Sequence, residues 1–421
     1  MNDQLQIKTR PLPWLSLGVI ISVLIIHIAL FQLVAFIMEG AWLYQASFNI
    51  VVAIAIISVA MILTVVAMAL LIRITIWRML DQVMPIWVLC FVLEMLFVLL
   101  VRFPYSGLFL IVTGPLSFVM IMVSAFALTK INRMRILVLD GVNAGDVSAH
   151  GHIRMDYSDL VGQAISIDAV VATRQQMQDP SWQGFLTNIA LHQIPVLTDN
   201  RYREITKGQV NLNDTDAVEL IQLRPVRRYA LLKRLMDVVL SLLALIMLSP
   251  LLLLVAILIR LESAGNPIFV QERVGLAGRS FLMLKFRSMV NEAEKSGAKF
   301  AAINDSRITR IGRIIRPSRI DELPQLINVL FGQMSLIGPR PEQQAMVDQL
   351  GAEIPLYHFR HAVRPGITGW AQVMQGYADD VKSTDTKLSF DLFYIKNLSL
   401  MMDIVIFFRT IRTILTGFGA R

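Results

Sequence analysis

Four long apolar runs open the chain, roughly Trp14 to Met38, Phe48 to Ile72, Val83 to Val101 and Gly107 to Leu128. Each approaches the ~20 residues that a helix needs to cross the hydrocarbon core of a bilayer, and together they predict a four-helix transmembrane bundle over residues 1–130. The first run is span-length and has no small-residue cleavage site, so it is expected to stay as a helix. Basic residues flank the runs unevenly. Lys8 and Arg10 precede the first, Arg73 and Arg78 separate the second and third, and Lys130, Arg133 and Arg135 follow the fourth, whereas Glu39 lies in the first connection and only Arg102 in the third. The positive-inside bias puts the N-terminus and everything after residue 130 in the cytoplasm. Glu94, inside the third run, reads as facing a neighbouring helix rather than as a transport pathway.

From Arg135 the pattern changes to short β-rich runs, Arg135 to Leu139, Ile165 to Ala172 and Ile194 to Leu197, separated by polar segments of helical length. A small α/β domain of degenerate, Rossmann-like type is expected over residues 131–224. Its first turn, Asp140-Gly141-Val142-Asn143-Ala144-Gly145, does not have the glycine spacing of a dinucleotide site. A structural or regulatory module fits it better.

A fifth apolar run, Leu235 to Ile259, opens the last region, residues 225–421. Arg224, Arg227, Arg228, Lys233 and Arg234 crowd its start and Arg260, Arg273, Arg279 and Lys285 follow its end, so both flanks belong in the cytoplasm. Ser249-Pro250 lies near its middle, where the missing proline N–H bends a helix and the serine hydroxyl can bond a freed backbone group. A re-entrant helix over residues 235–259 satisfies both facts, whereas the alternative, a straight span kinked at Pro250, would place everything downstream outside the cytoplasm. Leu398 to Leu415, interrupted by Asp403, Arg409 and Arg412, reads as a helix lying along the membrane interface.

Composition agrees with this pattern: 55% of the 421 residues are hydrophobic and 17% charged, too apolar for an ordinary soluble protein. The formal charge of +8 fits attraction to anionic membrane lipids and phosphorylated substrates, not nucleic acid. With Cys90 as the single cysteine, an intramolecular disulfide and a thiolate zinc cluster are excluded.

Three segments of the last region combine basic and turn-forming residues: Lys285 to Met289, Arg316 to Gln325, and Gly338-Pro339-Arg340-Pro341-Glu342. Arginine forks and lysine charges can hold a diphosphate near a carboxylate that would otherwise repel it. Asp321 and Glu322 open a predicted helix whose apolar face is Leu323, Leu326, Ile327 and Leu330. The plain alternative is an acidic first turn favoured by the helix dipole. Neighbouring side chains point about 100° apart, so the two carboxylates would divide attack and metal binding rather than share a proton.

These segments and Arg364-Pro365-Gly366-Ile367-Thr368-Gly369-Trp370-Ala371-Gln372 resemble, in order and spacing, the bacterial sugar transferases, or monotopic phosphoglycosyl transferases, from about Tyr229 to the C-terminus. The preceding spans and α/β domain resemble the long members of that family, the polyprenyl glycosylphosphotransferases of exopolysaccharide and O-antigen assembly. The resemblance implies a mainly α catalytic domain in the bacterial inner membrane. It also implies a UDP-sugar donor, undecaprenyl phosphate as acceptor, and a covalent aspartyl phosphosugar formed on Asp321 with release of UMP. It further implies Mg²⁺ held by Glu322, substrate and phosphate contacts from Lys285, Arg316, Arg340 and Asp391, and a helix break at Ser249-Pro250. The segment Tyr377 to Asp380 lies where the family varies with the sugar, so glucose, galactose and N-acetyl sugars stay open. So does oligomeric state, with a homodimer among the options. The competing class is a non-catalytic membrane assembly or regulatory protein, which would be expected to have lost part of this set; a flippase would need more polar residues within its spans.

Overall fold

The computed structural model describes residues 6–8, 48–72, 107–131, 135–142, 153–156, 164–212, 227–289, 307–354, 356–375 and 381–416, with isolated positions elsewhere. It forms two compact units, Met1–Lys207 and Gly208–Arg421.

In the first unit, β1 (Gln6–Lys8) is followed by helices α1 (Phe48–Ile72) and α2 (Gly107–Ile131), which pack on each other. Apart from isolated positions, the first and third predicted spans lie outside the described residues. The α/β part comprises β2 (Arg135–Val138), β3 (Ile153–Asp156), β4 (Ala164–Ser166), β5 (Ala169–Ala172), α3 (Arg174–Gln178), α4 (Pro180–Leu191), β6 (Val196–Thr198) and α5 (Asp199–Lys207). Strands β3, β2, β5 and β6 form one parallel sheet in that order, and β1 pairs with β4. The central strands bury Ile136, Leu137, Val138, Val170 and Val171 against Leu186, Ile189 and Tyr202, the continuous apolar strand pattern of a sheet covered on both faces. The predicted run Ile165 to Ala172 divides into two strands because Asp168 turns the chain, its carboxylate accepting from the Arg135 N–H at 2.8 Å. The turn after β2 has Gly141 at φ 78°; residues 143–152, next in the chain, lie outside the described residues.

The second unit begins with α6 (Arg227–Glu262), 36 residues with Pro250 inside. Among the described residues, its segment Tyr229–Glu262 alone is long and apolar enough to cross a membrane. The helix runs on through Pro250 instead of breaking there, and Ser249 Oγ donates to the Ile246 carbonyl at 2.8 Å. Both ends of α6 are held by one short stretch of chain. Near its start, Arg234 donates to the Val329 and Leu330 carbonyls at 2.6 and 2.8 Å, and Asp237 accepts from Ser335 Oγ and Leu336 N at 3.1 and 3.0 Å. Near its end, Val255 and Ile259 bury against Phe286 and Ile315, with Ile320 packed on them. Helical rise separates positions 234 and 255 by about 32 Å in a straight rod. Residues 320 and 329, joined by helical and 3-10 turns, are only about 15 Å apart. Leu243, Ile246, Met247, Leu253 and Leu254 between the anchored ends are exposed.

An antiparallel hairpin comes next, β7 (Ile268–Val274) and β8 (Ser280–Phe286). Then come α7 (Arg310–Ile315), a 3-10 turn Ile320–Glu322, α8 (Gln325–Leu330), β9 (Ser335–Ile337), α9 (Gln344–Glu353), β10 (Gly366–Thr368), α10 (Trp370–Met374), α11 (Val381–Lys396) and α12 (Leu400–Thr416). Helix α12 covers most of the run Leu398 to Leu415 and exposes Phe407, Ile411 and Ile414. Asp403, however, is not a surface charge: it is 4% exposed and accepts from Tyr229, Lys233 and Tyr394 at 2.5, 2.6 and 2.7 Å. Those three donors repay its desolvation and fasten α12 to the start of α6.

Candidate active site

Residues far apart in sequence meet at Glu322. Arg340 donates to its Oε1 at 2.7 Å, Lys285 Nζ lies 4.0 Å from the same oxygen, and an Arg319 guanidinium nitrogen lies 3.6 Å from Oε2. Each cation arrives for a local reason. Lys285 is the penultimate residue of β8, held in register opposite Phe269. Arg340 follows Gly338, one of three glycines that let two backbones touch: a Cβ on Gly366 would lie 2.0 Å from Gly338 N, and one on Gly369 2.1 Å from Gly338 O. Hydrogen bonds from Gly338 N to Thr368 O and from Gly366 N to Pro339 O, at 2.8 and 2.9 Å, lock the pair. The segments around Arg340 and Arg364 to Gln372 thus form one interlocked support. Arg319 caps the 3-10 turn in the left-handed region at φ 54°, a conformation that costs a non-glycine residue roughly 1 kcal/mol or more and is concentrated at functional sites.

The carboxylate pair does not lie within the helix that the apolar spacing predicted. Asp321 and Glu322 occupy the 3-10 turn, and α8 starts only after Pro324. The most buried positions of α8 are Gln325, Leu326, Asn328 and Val329, so two carboxamides share its inner side. Asn328 donates to Leu282 O at 2.7 Å and accepts from Leu284 N at 3.0 Å, pinning α8 to β8 beside Lys285.

Burial and charge set the two acids apart. Glu322 is 6% exposed; burial alone would raise its pKa, but Arg340, Lys285 and Arg319 outweigh that and hold it at about 2. Asp321 is pushed up to about 6, first by burial and then by the Glu322 charge, with Lys285, Arg316 and Arg340 opposing. Lys285 falls to about 8 through burial and the nearby Arg340 charge. The result is one fixed anion, one carboxylate that titrates just below neutrality, and a cationic surround suited to phosphate.

The remaining predicted residues are distributed differently. Arg316 caps the C-terminus of α7 and acts on Asp321 through its charge. Asp391 is 1% exposed on α11 and accepts from Arg360 at 2.9 Å. Arg360 in turn donates to the Arg340 carbonyl at 2.9 Å and to Tyr357 Oη at 2.8 Å. Asp391 therefore supports the backbone that carries Arg340. Its acidic neighbour Glu342, held at about 2 because Lys387, Arg360 and Arg273 outweigh its burial, braces the same support. Arg287, within a segment read as a phosphate site, instead bonds Ser263 O, Ser263 Oγ and Ala264 O at 2.7, 2.8 and 3.1 Å and closes the end of α6. Ser249 and Pro250 lie within α6. Sequence reasoning did not single out Arg319, although it lies within the Arg316 to Gln325 segment two residues before the pair, nor Arg360, for which spacing gave no signal.

The sequence of residues 228–417 matches the family model described as bacterial sugar transferase. A Caulobacter vibrioides protein named UDP-glucose:undecaprenyl-phosphate glucose-1-phosphate transferase is 44% identical over 207 residues, 48% of this chain and 78% of that protein. The chain belongs to the bacterial sugar transferase family. An Aeromonas hydrophila relative, named UDP-N-acetylgalactosamine-undecaprenyl-phosphate N-acetylgalactosaminephosphotransferase, is 51% identical over 259 residues. That match spans 61% of each chain. The exopolysaccharide production protein PSS of Rhizobium leguminosarum bv. phaseoli is 43% identical over 194 residues, 44% of this sugar transferase but 96% of the relative.

Proposed function

We propose that this sugar transferase moves a sugar 1-phosphate from a UDP-sugar to undecaprenyl phosphate, starting an exopolysaccharide or O-antigen repeat unit. The observation that carries the reading is the pair Asp321 and Glu322 amid Lys285, Arg319 and Arg340, with Asp321 the one of the two acids left to titrate near neutrality. In the first step an Asp321 carboxylate oxygen attacks the sugar-linked phosphorus; the new O–P bond forms as the bond to UMP breaks. In the second, an oxygen of the lipid phosphate attacks that phosphorus, forming the diphosphate link and returning Asp321 as carboxylate. Lys285, Arg316 and Arg340 would hold the phosphates, spreading charge that builds up during transfer. The donor with most support is UDP-N-acetylgalactosamine, since the Aeromonas relative at 51% names it while the Caulobacter glucose enzyme matches at 44%.

Mg²⁺ fits the donor set. Among the described residues no group of three or more His, Cys, Asp or Glu converges, but Mg²⁺ commonly takes one or two carboxylates and completes its shell with water and substrate phosphates. Asp321 and Glu322 also repel each other, as the upward push on Asp321 records, and a divalent cation would relieve this. Glu322 would hold it, and its chemistry would be to neutralise the diphosphate.

The two anchored ends of α6 support a helix that dips into the leaflet and returns, with the catalytic unit on the cytoplasmic face of a bacterial inner membrane. The four preceding spans belong to the same proposal. The direct test is UMP release from a panel of UDP-sugars with undecaprenyl phosphate in purified membranes, together with intact-protein mass spectrometry after donor alone. A phosphosugar adduct on the wild type that disappears in Asp321→Asn supports the reading. An adduct that persists in that variant removes Asp321 as nucleophile.

A further inference from the structure

Gln325 is 1% exposed, and its side-chain amide nitrogen is buried with no acceptor among the described residues. An unpaired buried donor is costly, and native structures keep few of them. This one lies three residues after Glu322 and three before Asn328, at the entry to α8. Spacing of three to four residues stacks side chains on one helical face, so Gln325 falls between Asn328, fixed to β8 at Leu282 and Leu284, and Glu322, beside Lys285.

The charged donors near this point are already committed. Arg340, Arg319 and Lys285 all face Glu322, and substrate must compete with that carboxylate for them. Gln325 offers two neutral N–H groups that Glu322 does not hold. A neutral donor suits an oxygen whose negative charge shifts as a phosphoryl group is transferred, because it can bind that oxygen without drawing in another counter-charge. We propose that the Gln325 carboxamide donates to an oxygen of the phosphoryl group in transit, and that its unpaired state is retained, at a cost in stability, for this contact. The inference rests on the transfer reading above and adds a substrate ligand to it.

The test compares wild type with Gln325→Met and Gln325→Leu in membranes, following adduct formation from the UDP-sugar without acceptor, as a function of pH, alongside the thermal unfolding midpoint. Removing the donor should slow adduct formation about 100-fold at saturating UDP-sugar, the lower end of the range for loss of one donor to a developing oxyanion. The unfolding midpoint should stay level or rise, because an apolar side chain removes an unsatisfied group. The pH midpoint of the reaction should not move. Wild-type rates in both variants would overturn the inference. So would a lowered unfolding midpoint in both, which makes Gln325 a structural residue, or a displaced pH midpoint with an unchanged plateau, which makes it a partner of Asp321. A wild type that forms no adduct sinks the transfer reading itself, whereas a wild type that reacts beside equally fast variants sinks this inference alone.

Discussion

Asp321 and Glu322 are neighbours with opposite electrostatic consequences for stability. The pKa of Asp321 is raised, mainly by burial, so the stability it contributes is present below about 4 and is lost as pH rises through about 6. That of Glu322 is lowered despite its burial, by Arg340 above all, so its contribution is present above its ordinary value and is lost as pH falls toward about 2. At pH 8, Asp321→Asn should therefore stabilise the protein by roughly 1–2 kcal/mol while abolishing transfer, the figure reduced because Asp321 is partly solvated. Glu322→Gln should destabilise it by about 3 kcal/mol, since it strands Arg340 and Lys285. Thermal melts of both variants decide this, and equal shifts of one sign would refute the electrostatic account. The same groups set the pH profile. UMP release, measured as kcat/KM, should climb about tenfold per pH unit below about 6, where Asp321 loses its proton, and decline above about 8, where Lys285 loses its charge. A profile flat from pH 5 to 7 would exclude Asp321 as an ionised nucleophile.

At the scale of elements, the proposed return of α6 to its own leaflet and the glycine contacts around Arg340 make separate demands. If α6 returns to the leaflet it entered, Leu231 and Leu261, both exposed near its two ends, lie on the same side of the membrane. Single cysteines there, in a Cys90→Ser background, should both resist a membrane-impermeant thiol reagent in intact spheroplasts and react once the membrane is opened. Labelling of position 261 alone from outside would restore an ordinary span. The contact at Gly366 has no spare room, as a Cβ would sit 2.0 Å from Gly338 N. Gly366→Ala should cost about 3 kcal/mol by forcing β9 and β10 apart and should lower donor turnover through displacement of Arg340. Denaturant titration together with UMP release would show both losses; a variant with normal stability and turnover would mean that the two strands are free to separate.

At the scale of the whole molecule, the Rhizobium relative matches this chain over nearly its full length with less than half of the present sequence. Together with the compactness of Gly208–Arg421, this predicts that residues 208–421, expressed alone in membranes, form the phosphosugar adduct. Gly208 belongs in that piece because its carbonyl accepts from Trp370 Nε1 at 2.8 Å while Val210 N donates to Ser389 O at 3.1 Å. Absence of adduct from a folded fragment would assign the first unit a direct part in the donor reaction.

Sequence by itself determined the chemistry available and much of the element order. Residue types at short spacing specify Asp321 beside Glu322, a basic strand end at Lys285, an arginine between prolines at Arg340 and an apolar run broken by Pro250, because each depends only on local covalent order. Tertiary structure alone decided what each charge faces. Lys285 and Arg340 reach Glu322 across 37 and 18 positions of chain, and Arg287, Asp391 and Asp403, similar in type to the site residues, are spent on supporting contacts. No spacing rule separates these fates, since burial and the charges brought near by folding set both the partner of an ionisable group and the direction of its pKa.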